Sequence, residues 1–368
     1  MKKILILMGR YLPGYKDGGP LRTIINVTDA LGDECEFYIA CYDRDHGDVV
    51  PYKEIKKNKW NKVRKARVFY VEPGGFTRDL ILKLVKDKDL IYLCNFYESY
   101  GYKTLLLKKI KKINVPVVVA SMGVFAKEAQ KQKLLKKKVF LTLCKMIGLF
   151  NNITWSVTSE LEAADVKRVL GNNIKYVVAE DLPRASVPGR KKGDSDNIKI
   201  VFLSRICKHK NPKVLIDAIG LLEKHDNLVV DFYGPIQDSD YWNDCLEKLN
   251  NLNVSWKYGG EVPSERVPEV LGEYDVFVLP SESENYGHVV FEALSVGCIP
   301  VISDRTPWQL GRAGYTVELK TECFAKTIDE ILCMDSCQRK EMSKEAVELA
   351  KKKVQQAKED TGYRKIFM

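Results

Sequence analysis

Short apolar runs alternate with stretches whose apolar positions recur at helical spacing along the whole chain. The runs predict strands at Ile4–Met8, Glu36–Cys41, Val68–Val71, Leu90–Cys94, Val115–Ser121, Ile153–Val157 and Tyr176–Ala179. Between them the helical spacing predicts helices over Pro20–Leu31, Phe76–Lys86, Tyr100–Lys112 and Lys127–Leu149. Ser159 and Glu162 form a capping box that opens one more helix, ending near Gly171. Strand and helix in strict alternation argue for parallel α/β sheets.

The segment Pro183–Asn197 breaks this rhythm with two prolines, two glycines and a mixed charge cluster, and reads as a linker. A second series follows it, with strands expected at Lys199–Leu203, Leu228–Phe232, Val254–Lys257, Val276–Leu279 and Ile299–Ile302, and a terminal helix over Gln338–Lys358. The expected organisation is therefore a first lobe over 1–183, a linker over 184–197, a second lobe over 198–350 and a C-terminal segment over 351–368. Two Rossmann-like lobes with a cleft between them is the economical reading. A length of 368 residues suits two domains, each able to bury its own core.

Composition narrows the class. The 45% apolar content is that of a soluble globular protein. No apolar run approaches the roughly 18 residues that span a bilayer. Ile4–Met8, after Met1-Lys-Lys, is too short for a secretory signal and reads as the first strand. The ten cysteines lie mostly inside apolar segments without a C-x-x-C pair, and the four histidines are scattered. Reduced thiols in a cytoplasmic protein are the expectation, with no zinc. Charge is uneven. Residues 1–190 carry 35 Lys+Arg against 20 Asp+Glu, whereas residues 191–368 carry 24 against 29. The extreme is 101–150, with twelve lysines and one acid, Glu128. Such a block is either a solvated face or a surface for anionic membrane. Nucleic acid is not expected as a partner, because no recognition motif is present and few arginines or aromatics interleave with the lysines.

The densest chemistry lies in Pro280-Ser-Glu-Ser-Glu-Asn-Tyr-Gly-His-Val-Val-Phe-Glu-Ala-Leu, which runs from a strand through a polar loop into a helix. Glu284 and Glu292, eight positions apart, flank Gly287. Within one helix they would differ by about 80° in direction and about 12 Å along the axis. The loop must therefore hold Glu284 back against the helix start, leaving a cleft that both line. Gly287 allows close backbone approach, and the free N–H groups after it make an anion site. Carboxylates for hydroxyls and amides for an anion, at the carboxyl end of a strand, suit a nucleotide-sugar. Two glutamates alone at this spacing would be ordinary solvated helix charges.

The whole string resembles the E-x7-E signature of retaining family-4 glycosyltransferases, which have the GT-B fold. That resemblance implies an α/β protein of two Rossmann-like lobes with the active-site cleft between them, and a last helix that crosses back to the first lobe. It implies that Glu284 contacts the sugar hydroxyls and Glu292 the ribose. Asn285, Tyr286, Gly287, His288 and Val289 would line the donor, the amides of Gly287–Val289 holding sugar or phosphate.

Other loops extend the pattern. Arg205 and Lys210, in Ser204-Arg-Ile-Cys-Lys-His-Lys-Asn-Pro212, follow the first strand of the second lobe, where α/β proteins bind ligands. A fork donor and a point charge there suit two phosphates. The spacing is similar to the family's Arg-x4-Lys diphosphate site, with Asn211 where glycine is common. Gly18 and Gly19 follow the first strand, where backbone approaches a diphosphate or acceptor easily. Their loop resembles the family's first glycine-rich loop and lacks the dinucleotide fingerprint G-x-G-x-x-G. Gly259-Gly-Glu-Val-Pro263 ends another strand, and the resemblance makes Val262 a nucleobase contact. On the acceptor side the family's usual histidine is missing. Asn95 or Tyr97 stands near its place, and Ser121 ends the next strand. Asp43-Arg-Asp45 and Asp238-Ser-Asp240 are read as solvated loops rather than metal ligands, since enzymes of this fold do not use a D-x-D metal.

The expected activity is a metal-independent, cofactor-free, retaining glycosyltransferase. It would move sugar from a nucleoside-diphosphate sugar to a saccharide or lipid-linked saccharide in surface polysaccharide synthesis, at the cytoplasmic face. A nucleotide-sugar epimerase or phosphorylase of the same fold, or a non-catalytic polyanion-binding protein, are the alternatives.

Overall fold

The computed structural model describes residues 1–126, 134–189, 197–223, 228–359 and 362–368. The chain forms two compact units: Met1–Leu182 with Lys358–Met368, and Pro183–Ala357. Residues 190–196, in the middle of the expected linker, lie outside the described residues, as do 127–133 at the start of the helix expected over Lys127–Leu149.

In the first unit eight strands make one sheet: β1 Lys2–Leu7, β2 Cys35–Tyr42, β3 Trp60–Val63, β4 Ala66–Val71, β5 Leu90–Cys94, β6 Val117–Ala120, β7 Thr154–Val157 and β8 Lys175–Val178. Their order is β3-β4-β2-β1-β5-β6-β7-β8. All pairs are parallel except β3 with β4, an antiparallel edge that the sequence pattern does not reveal. The reason is composition: Trp-Asn-Lys-Val alternates half-buried and exposed positions, so it lacks the apolar run that marks β1 or β5. The order in which strands are added reverses between the parallel neighbours β1 and β5, so the loops after them border the switch-point crevice of this sheet.

The second unit repeats the design with β9 Ile198–Leu203, β10 Leu228–Tyr233, β11 Ser255–Tyr258, β12 Val276–Leu279, β13 Ile299–Ser303 and β14 Tyr315–Val317. The order is β11-β10-β9-β12-β13-β14, all parallel. Here the switch point lies between β9 and β12. Central strands β12 and β13 are buried at every position, as expected where helices cover both faces. Short, partly exposed β14 is a second edge strand absent from the sequence expectation.

The 24-residue helix Ser336–Glu359 docks where Gly297 leaves room: Ser343 Oγ donates to the Gly297 carbonyl at 2.7 Å, and a Cβ on Gly297 would sit 2.4 Å from that hydroxyl. The last helix, Gly362–Phe367, is part of the first unit. Phe367 meets Phe37 and Tyr92 edge-on, Tyr363 donates to Asp181 at 3.1 Å, and Arg364 grips Glu34 through two nitrogens. A Cβ at Gly362 would strike the Val178 carbonyl oxygen at 2.1 Å, so the contact is built for glycine.

Candidate active site

In the second unit the loops after β9, β10 and β11 are stitched together by backbone. Ser204 N–H donates to Tyr233 O at 3.1 Å, Ile206 N–H to Pro235 O at 2.9 Å, and Gly234 N–H to Gly260 O at 2.8 Å. Gly234 has φ 127°, and a Cβ there would lie 2.0 Å from the Ser204 carbonyl oxygen. Close approach therefore demands glycine at this turn. Val262 sits in the third of these loops, partly buried against the unit's core.

After β12 the chain enters Pro280–Gly287. Ser303 Oγ holds the Ser281 carbonyl at 2.6 Å, Glu282 N–H donates to His209 O at 2.9 Å, and Glu284 N–H to Arg305 O at 3.2 Å. Tyr286 is buried, its ring against His288 and Trp308, and the Trp308 indole N–H donates to the Tyr286 carbonyl. Gly287, in the left-handed region at φ 78°, precedes the helix His288–Ser295. A Cβ on Gly287 would meet Glu284 Cγ at 3.6 Å, so the loop brings Glu284 back to the helix start. Asn285 and Val289 are half-buried on either side of it.

Glu284 and Lys210 meet. Lys210 Nζ lies 2.5 Å from Glu284 Oε1, and Ser281 Oγ donates to the same oxygen at 2.8 Å. Both side chains are nearly enclosed, 10% and 11% exposed. Burial pushes the Glu284 carboxyl up, but the Lys210 charge and the hydrogen bonds from Lys210 and Ser281 outweigh it, and the group lies below its usual range. His209 next door is pushed down by burial and by the Lys210 charge. Asn211 occupies the left-handed conformation at φ 55° before the helix Pro212–Ile219, which explains asparagine where glycine is common. Arg205, by contrast, is exposed and donates to Gln237 Oε1 at 3.3 Å.

Glu292 is buried on its helix and ion-paired with Arg184 at 3.1 Å. The same Arg184 Nη2 donates to the Ser264 carbonyl at 2.6 Å. In sequence Arg184 falls in the expected linker, since a lone arginine in Pro-Arg-Ala-Ser carries no periodic signal.

In the first unit Gly18, at φ 62°, precedes the helix Gly19–Leu31, and the space around Gly18 and Gly19 is open. Asp45 fixes their loop by accepting from Tyr15 N–H at 2.7 Å and from Lys16 N–H at 3.2 Å. Asp43 is fully buried, paired with Arg44 and Lys57. The solvated-loop expectation for Asp43 and Asp45 is thus corrected, because both carboxylates are buried acceptors that shape the turn. Asp238 likewise caps the helix Ser239–Asn250 through Tyr241 N–H at 3.0 Å. Asn95 has φ 87°, and its Oδ1 accepts from Tyr97 N–H at 2.9 Å; the Tyr97 ring packs on Phe96 and Phe140. Ser121 is fully buried and its hydroxyl donates to Ser156 O at 3.2 Å. Glu162 extends the capping box: it accepts from Thr158 N–H at 2.7 Å and, from the loop after β6, Gly123 N–H at 2.6 Å. No cluster of three or more His, Cys, Asp or Glu able to hold a metal exists among the described residues.

Two doubly wound units of this design define the GT-B fold, and solved structures bear this out over nearly the whole chain. Sucrose-phosphate synthase from Thermosynechococcus elongatus is similar with a TM-score of 0.73 at 17% identity, covering 100% of this chain and 99% of that one. HepE from Anabaena, crystallised with UDP and glucose, gives 0.70 at 18% identity with 97% of each chain covered. WaaG, a glycosyltransferase involved in lipopolysaccharide biosynthesis, gives 0.67 at 12% identity with 95% of each covered. Residues 187–349 match the family model for glycosyl transferases group 1. The chain is also 25% identical over 241 residues, 61% of its length, to an uncharacterized 41.2 kDa protein in the cps region of Klebsiella pneumoniae, and spans 63% of that curated relative.

Proposed function

We propose that this protein is a retaining, metal-independent glycosyltransferase that takes its sugar from a nucleoside diphosphate. The acceptor would be a hydroxyl of a saccharide or lipid-linked saccharide in surface polysaccharide synthesis. The observation that carries the reading is the enclosed Lys210–Glu284 pair at the switch point of the second sheet, in the stretch that matches the group 1 family. Lys210, with Arg205, supplies positive charge for the diphosphate as it leaves, and fixed charges aimed at developing charge are the largest kind of catalytic contribution. Glu284, kept ionised, is an acceptor for sugar hydroxyls. Glu292 accepts from the ribose, and the first amides of the helix after Gly287 face anionic oxygens. Val262 borders the base, Gly18 and Gly19 bring backbone to the donor, and Asn95, Tyr97 and Ser121 belong to the acceptor side.

HepE was crystallised with UDP-glucose as well as with UDP, which makes uridine nucleotides the first donors to test. A thermal-shift screen of UDP-, GDP- and ADP-sugars tests the reading, since a ligand at 100 Kd stabilises by about 2.7 kcal/mol. No response to any of them would overturn it. Turnover of donor without acceptor would favour the epimerase.

A membrane contact has separate support. On the helix Leu134–Met146, Leu135, Val139, Leu143 and Met146 are exposed at 75%, 53%, 54% and 78%, at helical spacing, and Lys136, Lys138 and Lys145 accompany them in solvent. An apolar ladder edged by lysines suits an anionic bilayer surface. Leu141 is buried toward the core and takes no part. Among the described residues no helix is long and apolar enough to cross a membrane.

A further inference from the structure

Arg184 opens the second unit in sequence, far along the chain from everything it touches. Its Nη2 reaches the Ser264 carbonyl at 2.6 Å, 80 positions away, and Glu292 Oε1 at 3.1 Å, 108 positions away. Its side chain is 21% exposed and that of Glu292 8% exposed, so water screens the pair weakly. Ser264 stands two residues beyond Val262, at the end of the loop after β11. One guanidinium therefore ties that loop to the carboxylate on the helix His288–Ser295. A second feature points to a ligand: Arg184 Nε is buried without a hydrogen-bond partner. A buried donor left unfilled is costly, and hydroxyl or carbonyl oxygens are what fill it.

We propose that Arg184 is a positioning residue that holds Glu292 and the Val262 loop in the arrangement that receives the nucleoside half of the donor. This rests on the donor-site reading above and adds to it a residue that orients both the ribose acceptor and the base loop. Lysine is no equivalent, because it lacks the planar fork that spans two acceptors.

Calorimetry with UDP and UMP, or with the guanosine or adenosine pair if only that pair binds the wild-type protein, separates the outcomes. Arg184→Gln should weaken diphosphate and monophosphate alike by about 10- to 100-fold, the loss of a hydrogen bond to a charged group, because both ligands share the nucleoside. Donor KM should rise while kcat at saturating donor stays within about twofold, as for interactions made equally in ground and transition states. Arg184→Lys should recover part of the affinity. In an Glu292→Gln background Arg184→Gln should cost much less, since it acts through that carboxylate. Unchanged nucleotide affinity in Arg184→Gln, with or without a lowered Tm, overturns the positioning role and leaves the donor site standing. Should that variant fail to fold, unchanged affinity in Arg184→Lys does the same. A wild-type protein that binds none of the nucleotides overturns the donor-site reading and this inference with it.

Discussion

The two units share a doubly wound design and carry their candidate residues at the carboxyl ends of their strands, yet they treat buried carboxylates differently. In the second unit Glu284 and Glu292 are matched by Lys210 and Arg184, cations 74 and 108 positions away. In the first unit Asp43 and Asp45 find partners nearer in the chain, Asp43 in Arg44 and Lys57 and Asp45 in the N–H groups of His46 and, 30 and 29 positions away, Tyr15 and Lys16. Acceptors of this kind are filled largely by backbone N–H groups and neighbouring cations and fix the shape of loops. Distant ion pairs exist only once the unit is assembled, and each holds a charge that an incoming anion or hydroxyl can engage. On the proposed function, charge chemistry belongs to the second unit and loop shaping to the first.

The largest expected effect tests that division. Lys210→Ala should lower kcat by about 10²–10³-fold if the ammonium stabilises the departing diphosphate, and near-normal turnover would remove that role. The same variant has a pH signature. In the wild type the Lys210 charge and the hydrogen bonds hold Glu284 below its ordinary value, so the stability it contributes is present above its unfolded value and is lost as pH falls through the folded one. Without Lys210, burial dominates and pushes the carboxyl above its ordinary value, so acid now favours the fold. The Tm gap between wild type and Lys210→Ala should therefore narrow as pH is lowered from 7 toward 4; a constant gap would mean the pair is not coupled.

Next in size is the split between the glutamates. Glu292→Gln should weaken free nucleoside diphosphate by about 10-fold or more, while Glu284→Gln should spare it and impair use of the sugar donor. Calorimetry giving the reverse order would exchange their roles.

A smaller effect belongs to the first unit. Each of Lys136, Lys138 and Lys145 changed to Gln should reduce binding to anionic vesicles about fivefold, from about 1 kcal/mol per lysine, and the loss should vanish at high salt. Equal co-sedimentation with neutral and anionic lipid would sink the membrane contact and leave the enzyme reading untouched.

What the residues disclosed in advance follows the same line. Strands such as Val276–Leu279 and the run from Glu284 to Glu292 were legible because their determinants are contiguous: apolar residues in series, then a glycine that turns the chain. Arg184 was illegible because its meaning lies in residues 80 and 108 positions away. Trp60–Val63 and Tyr315–Val317 escaped because edge strands need no continuous apolar run. Asp43 and Asp45 misled because D-R-D reads as solvated until the fold buries it.

The smallest effect sharpens the comparison at Asn211, the departure from the family's usual glycine beside Lys210. Its φ of 55° is a conformation in which a side chain with a Cβ is disfavoured by about 1–2 kcal/mol, asparagine least among them. Tyr241 Oη donates to Asn211 Oδ1 at 3.3 Å, a long bond that offsets a little of that strain. Asn211→Gly relieves the strain and loses the bond, so stability should move by no more than about 0.5 kcal/mol and turnover should be unchanged. Asn211→Ala loses the bond and keeps the strain, so it should cost about 1–2 kcal/mol. It should also lower kcat modestly, because the residue before it carries the ammonium that meets Glu284. If glycine and alanine proved equally costly, the side-chain bond rather than the backbone turn would be what sets Lys210. If neither cost anything, the Lys210–Glu284 pair would be held by its own attraction, and the loop after β9 would matter only for bringing the lysine near.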